Sequence, residues 1–199
     1  MVYWNCSKTA VLNEFNDKKE KPMNETLQII RSRRSCRAFK SDPVPESDLR
    51  LILDAGIWAP TGMNRQDRHF TVIRNKAVFE RMDNLARMYT PEPVRSRLVE
   101  RNNGSPDISI HYFAPALIII SGGETSCAIA AENICIAAQS LGIGSCILGL
   151  ISVLFENDIQ LAGDLMIPKE MPPRLGVALG YSSRQMPESE RDTSRVTFL

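Results

Sequence analysis

The chain has 199 residues, enough for one domain with a filled core and too few for two of ordinary size. Its 24 Lys and Arg against 23 Asp and Glu leave a formal charge of +1, so no global field draws it to nucleic acid or to an anionic membrane. Five cysteines without a Cys-x-x-Cys pair, and two histidines (His69 and His111) far apart, argue against a disulfide framework or a metal site and for a reducing compartment.

Residues 1–22 carry Trp4, Phe15 and a Lys/Glu-rich run, with no apolar segment long enough for a signal peptide, and read as an N-terminal extension to a domain spanning 23–199. Asn24 can cap a helix that runs to Arg34 with Leu27, Ile29 and Ile30. Its end falls in a cluster of four arginines, Arg31, Arg33, Arg34 and Arg37, wrapped around Ser32 and Ser35. Arginine is favourable at a helix C-terminus and such clusters are often solvated faces, yet planar guanidinium forks beside a hydroxyl also match phosphate oxygens.

Pro43 and Pro45 break the chain, and Glu46, Ser47 and Asp48 open a helix whose Leu49, Ile52, Leu53 and Ile57 share one face, directed at a core; Pro60 stops it. His69 to Arg74 has strand character, and Lys76 to Met88 returns to a helical pattern. Tyr89 to Tyr112 turns polar and irregular around a helical middle, Val94 to Arg101, and reads either as a lid over a ligand or as a surface excursion.

Ala116 to Ser121 is a continuous apolar run, the mark of a buried central strand, and Cys127 to Leu141 is a helix rich in small residues that permits close helix packing. Asn133 to Phe155 has no charge and the length of a membrane span, but Asn133, Gln139, Ser140, Ser145, Gly142 and Gly144 favour a buried helix, a turn and a second helix. Gly142, Gly144 and Gly149 are neither spaced nor placed as a dinucleotide fingerprint, and no Walker-type motif occurs. Leu154 to Leu165 reads as one more helix, Arg174 to Tyr181 as a strand, and Ser182 to Leu199 as a polar tail. About five helices and three or four strands in irregular alternation suggest an α+β sheet covered by helices on both faces.

The stretch from Arg33 to Gln66 resembles the nitroreductase family of flavoproteins. Its Arg-x-Ser-x-Arg opening is matched by Arg33, Ser35 and Arg37, followed by Phe39 and the Pro43-Val44 turn; its Ala-Pro-Ser-x-x-Asn-x-Gln turn is matched by Ala59, Pro60, Thr61, Asn64 and Gln66. The resemblance covers Met23 to the C-terminus and implies a mixed, mainly antiparallel sheet in an intertwined homodimer, an FMN cofactor, NADH or NADPH as electron donor and a small electron-poor acceptor such as a nitroaromatic or quinone, turned over by a ping-pong mechanism. It implies a cytoplasmic protein with no nucleic-acid or membrane partner, and leaves open dehalogenating, oxidising or flavin-fragmenting variants as well as an FMN-storing or FMN-sensing protein without turnover.

By the same resemblance, Arg33, Arg34, Ser35 and Arg37 hold the phosphate and ribityl end of FMN. Pro60, Thr61, Gly62 and Asn64 reach the flavin of the other subunit, Ile147, Leu148 and Gly149 lie beside its reactive nitrogen and act through backbone amides, and Arg191, or alternatively Arg195, returns to the phosphate. Three arginine contacts at roughly 2 kcal/mol each fall short of the roughly 8 kcal/mol of micromolar affinity, so burial of a flat ring has to supply the rest. Thr61 stands for the usual serine, Asp67 and Arg68 stand where Pro-Trp is common, and Glu132 where glutamine is frequent. No protein acid or base is assigned, and Cys36 and Cys146 read as small buried residues.

Overall fold

The computed structural model describes residues 22–101, 105, 107–188 and 190–199. All of the expected N-terminal extension except Pro22 lies outside the described residues.

Four strands form one sheet: β1 (Arg68–Ile73), β2 (Ala116–Gly122), β3 (Gly144–Leu148) and β4 (Pro173–Gly180), in the order β1-β2-β4-β3, every neighbouring pair antiparallel. All seven residues of β2 are buried, and the two-residue period of a strand divides them between two cores. Leu117 and Ile119 join Met82, Ala86, Leu98, Ile151, Leu154 and Leu161 on one face. Ala116, Ile118 and Ile120 join Leu49, Ile52, Ala131, Ile134 and Ala138 on the other.

Helices cover both faces accordingly. On the second face lie α2 (Glu46–Ile57) and α5 (Glu124–Ser140); on the first lie α3 (Lys76–Tyr89), α4 (Glu92–Arg101), α6 (Ile151–Asn157) and α7 (Ile159–Asp164). The short α1 (Glu25–Ser32), capped by Asn24 whose side chain accepts from the Leu27 amide, brings the chain to the sheet edge. The α+β architecture is as the sequence implies.

Three local readings are corrected. Between Gly142 and Leu150 the chain forms a strand, β3, instead of a turn leading into a helix, because the free edge of β4 offers backbone partners along its length. The helix expected over Leu154–Leu165 is two, α6 and α7, parted at Asp158, whose carboxylate accepts from the Gln160 and Leu161 amides and starts a new helix. Ile57, placed on the core face of α2 by its spacing, is 57% exposed, at the end of the helix where the chain leaves the core.

Candidate functional site

The arginine cluster sits at the outer edge of β3. Cys36 donates its amide to the Ser145 carbonyl at 2.8 Å and Ser35 forms a parallel bridge with Ser145. Further on, the Lys40 amide reaches the Tyr181 carbonyl at 2.8 Å and the Ser183 amide reaches the Ala38 carbonyl at 2.9 Å, so residues 35–40 run beside the sheet as a fixed ribbon. Gly144 makes this approach possible: a Cβ there would lie 2.9 Å from the Cys36 Cβ. Alternation along the ribbon buries Cys36 and Ala38 and leaves Ser35 and Arg37 half-buried.

The three arginines of the motif have different surroundings. Arg33 pairs with Glu132 at 3.5 Å. Arg34 is spent on the chain itself, its Nη1 donating to the Arg31 carbonyl at 2.7 Å and the Arg33 carbonyl at 2.9 Å, its Nε to the Pro187 carbonyl at 3.2 Å. Arg37 has no hydrogen bond among the described residues; its Nε is buried without a partner, and the guanidinium carbon stands 6.0 Å from the centroid of the Tyr112 ring. A cation in that position lacks the partner that buried charge requires.

Arg37 opens into a cavity of about 380 Å³ whose wall includes Tyr112, Cys146, Leu148 and Gly149, with α4 contributing Val94, Arg97, Leu98 and Arg101. The structure thus unites Arg37 with Leu148 and Gly149, and puts the helical middle of the Tyr89–Tyr112 region over them. A Cβ at Gly149 would meet nothing within 4 Å. Arg34 borders a different cleft, with Gly144, Ser182 and Arg184. Arg191 is exposed in the tail and, among the described residues, donates only to the Glu190 carbonyl at 3.3 Å, and Arg195 pairs with Asp192 at 2.8 Å.

The loop after α2 lies elsewhere. Pro60, Thr61 and Gly62 line a groove of about 480 Å³ against the start of α5, and Asn64 is exposed; none of the four borders the Arg37 cavity within this chain. Met63, Asn64 and Gln66 all hold left-handed backbone, with φ of 53°, 52° and 50°, a costly arrangement for side chains of this kind. Asp67 and Arg68 keep it in place. The Ser126 hydroxyl donates to the Asp67 carboxylate at 2.7 Å, which holds that carboxyl below its ordinary range, and the Arg68 Nη2 donates to the Ile57 carbonyl at 2.6 Å. The Asp67 carbonyl accepts from Gly123 at 2.9 Å. Gly122, at φ +121°, admits this contact, since a Cβ would fall 2.2 Å from the Asp67 oxygen.

The family model for the nitroreductase family matches residues 30–181. The chain belongs to the nitroreductase family. A protein of Archaeoglobus fulgidus that bears the name NADH dehydrogenase/NAD(P)H nitroreductase is 29% identical over 171 residues, covering 85% of this chain and 90% of its own. Among solved structures, a nitroreductase with bound FMN from Desulfitobacterium hafniense superposes with a TM-score of 0.81 at 29% identity, over 89% of this chain and 100% of that one. A second, from Bacteroides fragilis and also with bound FMN, gives 0.77 at 29% identity, with the same coverage.

In this chain the sequence motifs did not mark Arg97, Arg101 or Tyr112 as cavity residues. Their only signal was the spacing of Val94, Arg97, Leu98 and Arg101 along one helical face. Nor was the larger cavity of about 820 Å³ foreseen, where Phe79, Asp83, His111 and Phe113 meet. There Ser109 and Asp83 both face His111 Nδ1, at 2.9 and 3.4 Å. Two partners on one ring nitrogen cannot relay a proton from a hydroxyl to a carboxylate, so this is no hydrolytic triad. The four described cysteines are free and buried; burial pushes Cys127 and Cys135 up to about 11 and raises Cys146, so these three are protonated thiols. Among the described residues no group of His, Cys, Asp and Glu could hold a metal ion, and no helix is long and apolar enough to cross a membrane.

Proposed function

We propose that this protein is an FMN-dependent oxidoreductase that takes reducing equivalents from NADH or NADPH and delivers them to a nitroaromatic, a quinone or a similar electron-poor acceptor, donor and acceptor using one cavity in turn. The observation that carries this reading is the half-buried Arg37, whose Nε is buried without a hydrogen bond among the described residues, facing a cavity that also presents apolar side chains and an open backbone at Gly149. That donor set fits a flat ring with a polar edge. Bound FMN would supply a ring that accepts a hydride and gives it up again.

The chain's own residues bind and orient. Arg37 offers a charged donor to the polar edge of the ring and stabilises negative charge there. Leu148 and Tyr112 exclude water, and Leu148 and Gly149 bring main chain to the ring. Arg33 and Ser35 offer donors for the phosphate, with Arg191 of the tail joining them; Arg34, already committed to three carbonyls, shapes the turn that presents them. We assign Pro60, Thr61, Gly62 and Asn64 to the cavity of a second copy in a homodimer, supported by the exposure of Trp58 (78%) and Met63 (85%) beside them. The free buried thiols suit a reducing, cytoplasmic setting.

The deciding experiment is an absorbance spectrum of the purified protein before and after anaerobic NADH, then NADPH, with its mass taken by light scattering. Flavin bands that bleach, on a dimer, are expected. Bands that persist with both donors would favour storage or sensing of FMN, and a protein that takes up no added FMN would remove the assignment.

A further inference from the structure

The cavity assigned to the flavin has more positive charge than the flavin reading uses. On α4 the residues Val94, Arg97, Leu98 and Arg101 recur at i, i+3, i+4 and i+7, and all four border the cavity. Leu98 is buried in the core, which fixes the helix with this face inward, while Arg97 and Arg101 keep exposed heads at the rim. Their neighbour Arg95 is neutralised by Glu92 and also donates to the Arg87 carbonyl at 3.1 Å. Among the described residues, Arg97 and Arg101 have no ion pair or hydrogen bond and no Asp or Glu lines the cavity. Arg101 and Arg37 both act on the Cys146 thiol, opposing the upward push of its burial, so their fields meet at the cavity wall. Three guanidinium groups around one cavity repel each other until an anion enters.

We infer that the acceptor of this enzyme carries an anionic group, a carboxylate or a sulfonate, which Arg97 and Arg101 take at the cavity mouth while its electron-poor end lies over the ring. The two arginines determine specificity and take no part in electron transfer. This rests on the flavin reading of the cavity. It narrows the acceptor class of the proposed function from electron-poor compounds in general to anionic ones.

The test compares 4-nitrobenzoate with nitrobenzene as acceptors, and measures benzoate binding to the oxidised holoprotein by calorimetry with no electron donor present. The expected result is a KM for 4-nitrobenzoate about tenfold below that for nitrobenzene, as two charge-assisted contacts warrant. In Arg97→Gln/Arg101→Gln that preference and the benzoate affinity fall together by about tenfold, nitrobenzene reduction is unchanged, and Arg97→Lys/Arg101→Lys restores most of the preference. Equal treatment of the two acceptors by the unaltered enzyme overturns the inference. So does loss of FMN from the Gln variant, which would make the arginines cofactor ligands, or a changed NADPH-to-NADH ratio with acid preference intact, which would assign them to the donor's phosphate. If the unaltered protein takes up no FMN, the flavin reading itself falls, and this inference with it.

Discussion

Two cavities on the same face of the sheet make opposite use of their buried polar groups. In the larger, the Asp83 carboxyl accepts the Ile110 amide at 3.0 Å, the Ser109 hydroxyl oxygen accepts the Phe113 amide at 3.0 Å, and His111 stacks on Phe79 with ring centroids 4.1 Å apart. These groups are spent on holding residues 108–114 against α3. In the smaller cavity Arg37 has nothing to hold among the described residues, and its neighbours are apolar side chains, an open glycine and two more unpaired arginines. Size therefore does not separate the two cavities. A charged donor left without an acceptor does: Arg37 Nε borders the smaller one, and the chain bears the cost of its desolvation until something binds, whereas the unpartnered Thr71 and Ser121 hydroxyls are neutral and border neither.

Arg68 sharpens this rule. Its Nη1 is also buried without a partner, but its Nη2 is engaged by the Ile57 carbonyl, so its charge is already placed for a structural purpose. Arg37 differs in having no hydrogen bond to its guanidinium among the described residues, only the face of the Tyr112 ring at 6.0 Å.

Substitutions should separate the two cavities. The largest effect is expected from Asp83→Ala, which strands the Ile110 amide and one partner of His111. A loss of about 3 kcal/mol in denaturant unfolding is expected, with unchanged FMN affinity in the material that remains folded. A fall in FMN affinity as large as the fall in stability would merge the two cavities into one functional unit.

Arg37→Met should do the converse, weakening FMN binding about thirtyfold for the loss of about 2 kcal/mol of charge-assisted contact while leaving the melting temperature unchanged or higher. Fluorescence titration with FMN beside a thermal melt checks both halves. Smaller again is Arg34→Met. Because three carbonyls take its donors, about 1 kcal/mol of stability is expected to go, with less than a threefold change in FMN affinity. An affinity loss matching that of Arg37→Met would place Arg34 on the phosphate itself.

The smallest effect concerns the thiols. Cys127 and Cys135 should resist alkylation at pH 8 in the native state. Each is raised from an ordinary 9.0 to about 11, so the stability that goes with keeping it neutral is complete below pH 9 and is lost as pH climbs through about 11. Rapid labelling of either at pH 8 would show that its burial is intermittent.

Much of this molecule is legible in the chain alone. The ALIIIS run at Ala116–Ser121, the Asn24 cap and the opening of α2 at Glu46 are local signals, and short-range sterics and capping enforce them wherever the segment lies. The family motif likewise picked out Arg37, Leu148 and Gly149, residues distant in sequence that line one cavity.

Tertiary structure decided the rest. Residues 144–148 became a strand because the edge of β4 was free, against a glycine-punctuated sequence that reads as a turn. Asp67 and Arg68, odd against the motif, proved to be the ties that hold the strained loop at Met63–Gln66. The arginines of one short motif acquired separate duties because Arg33 met Glu132, Arg34 met three carbonyls and Arg37 met a void. Sequence fixes the type and order of donors along a chain; which donor is left unsatisfied depends on the partners that distant segments bring, and those exist only once the sheet has formed.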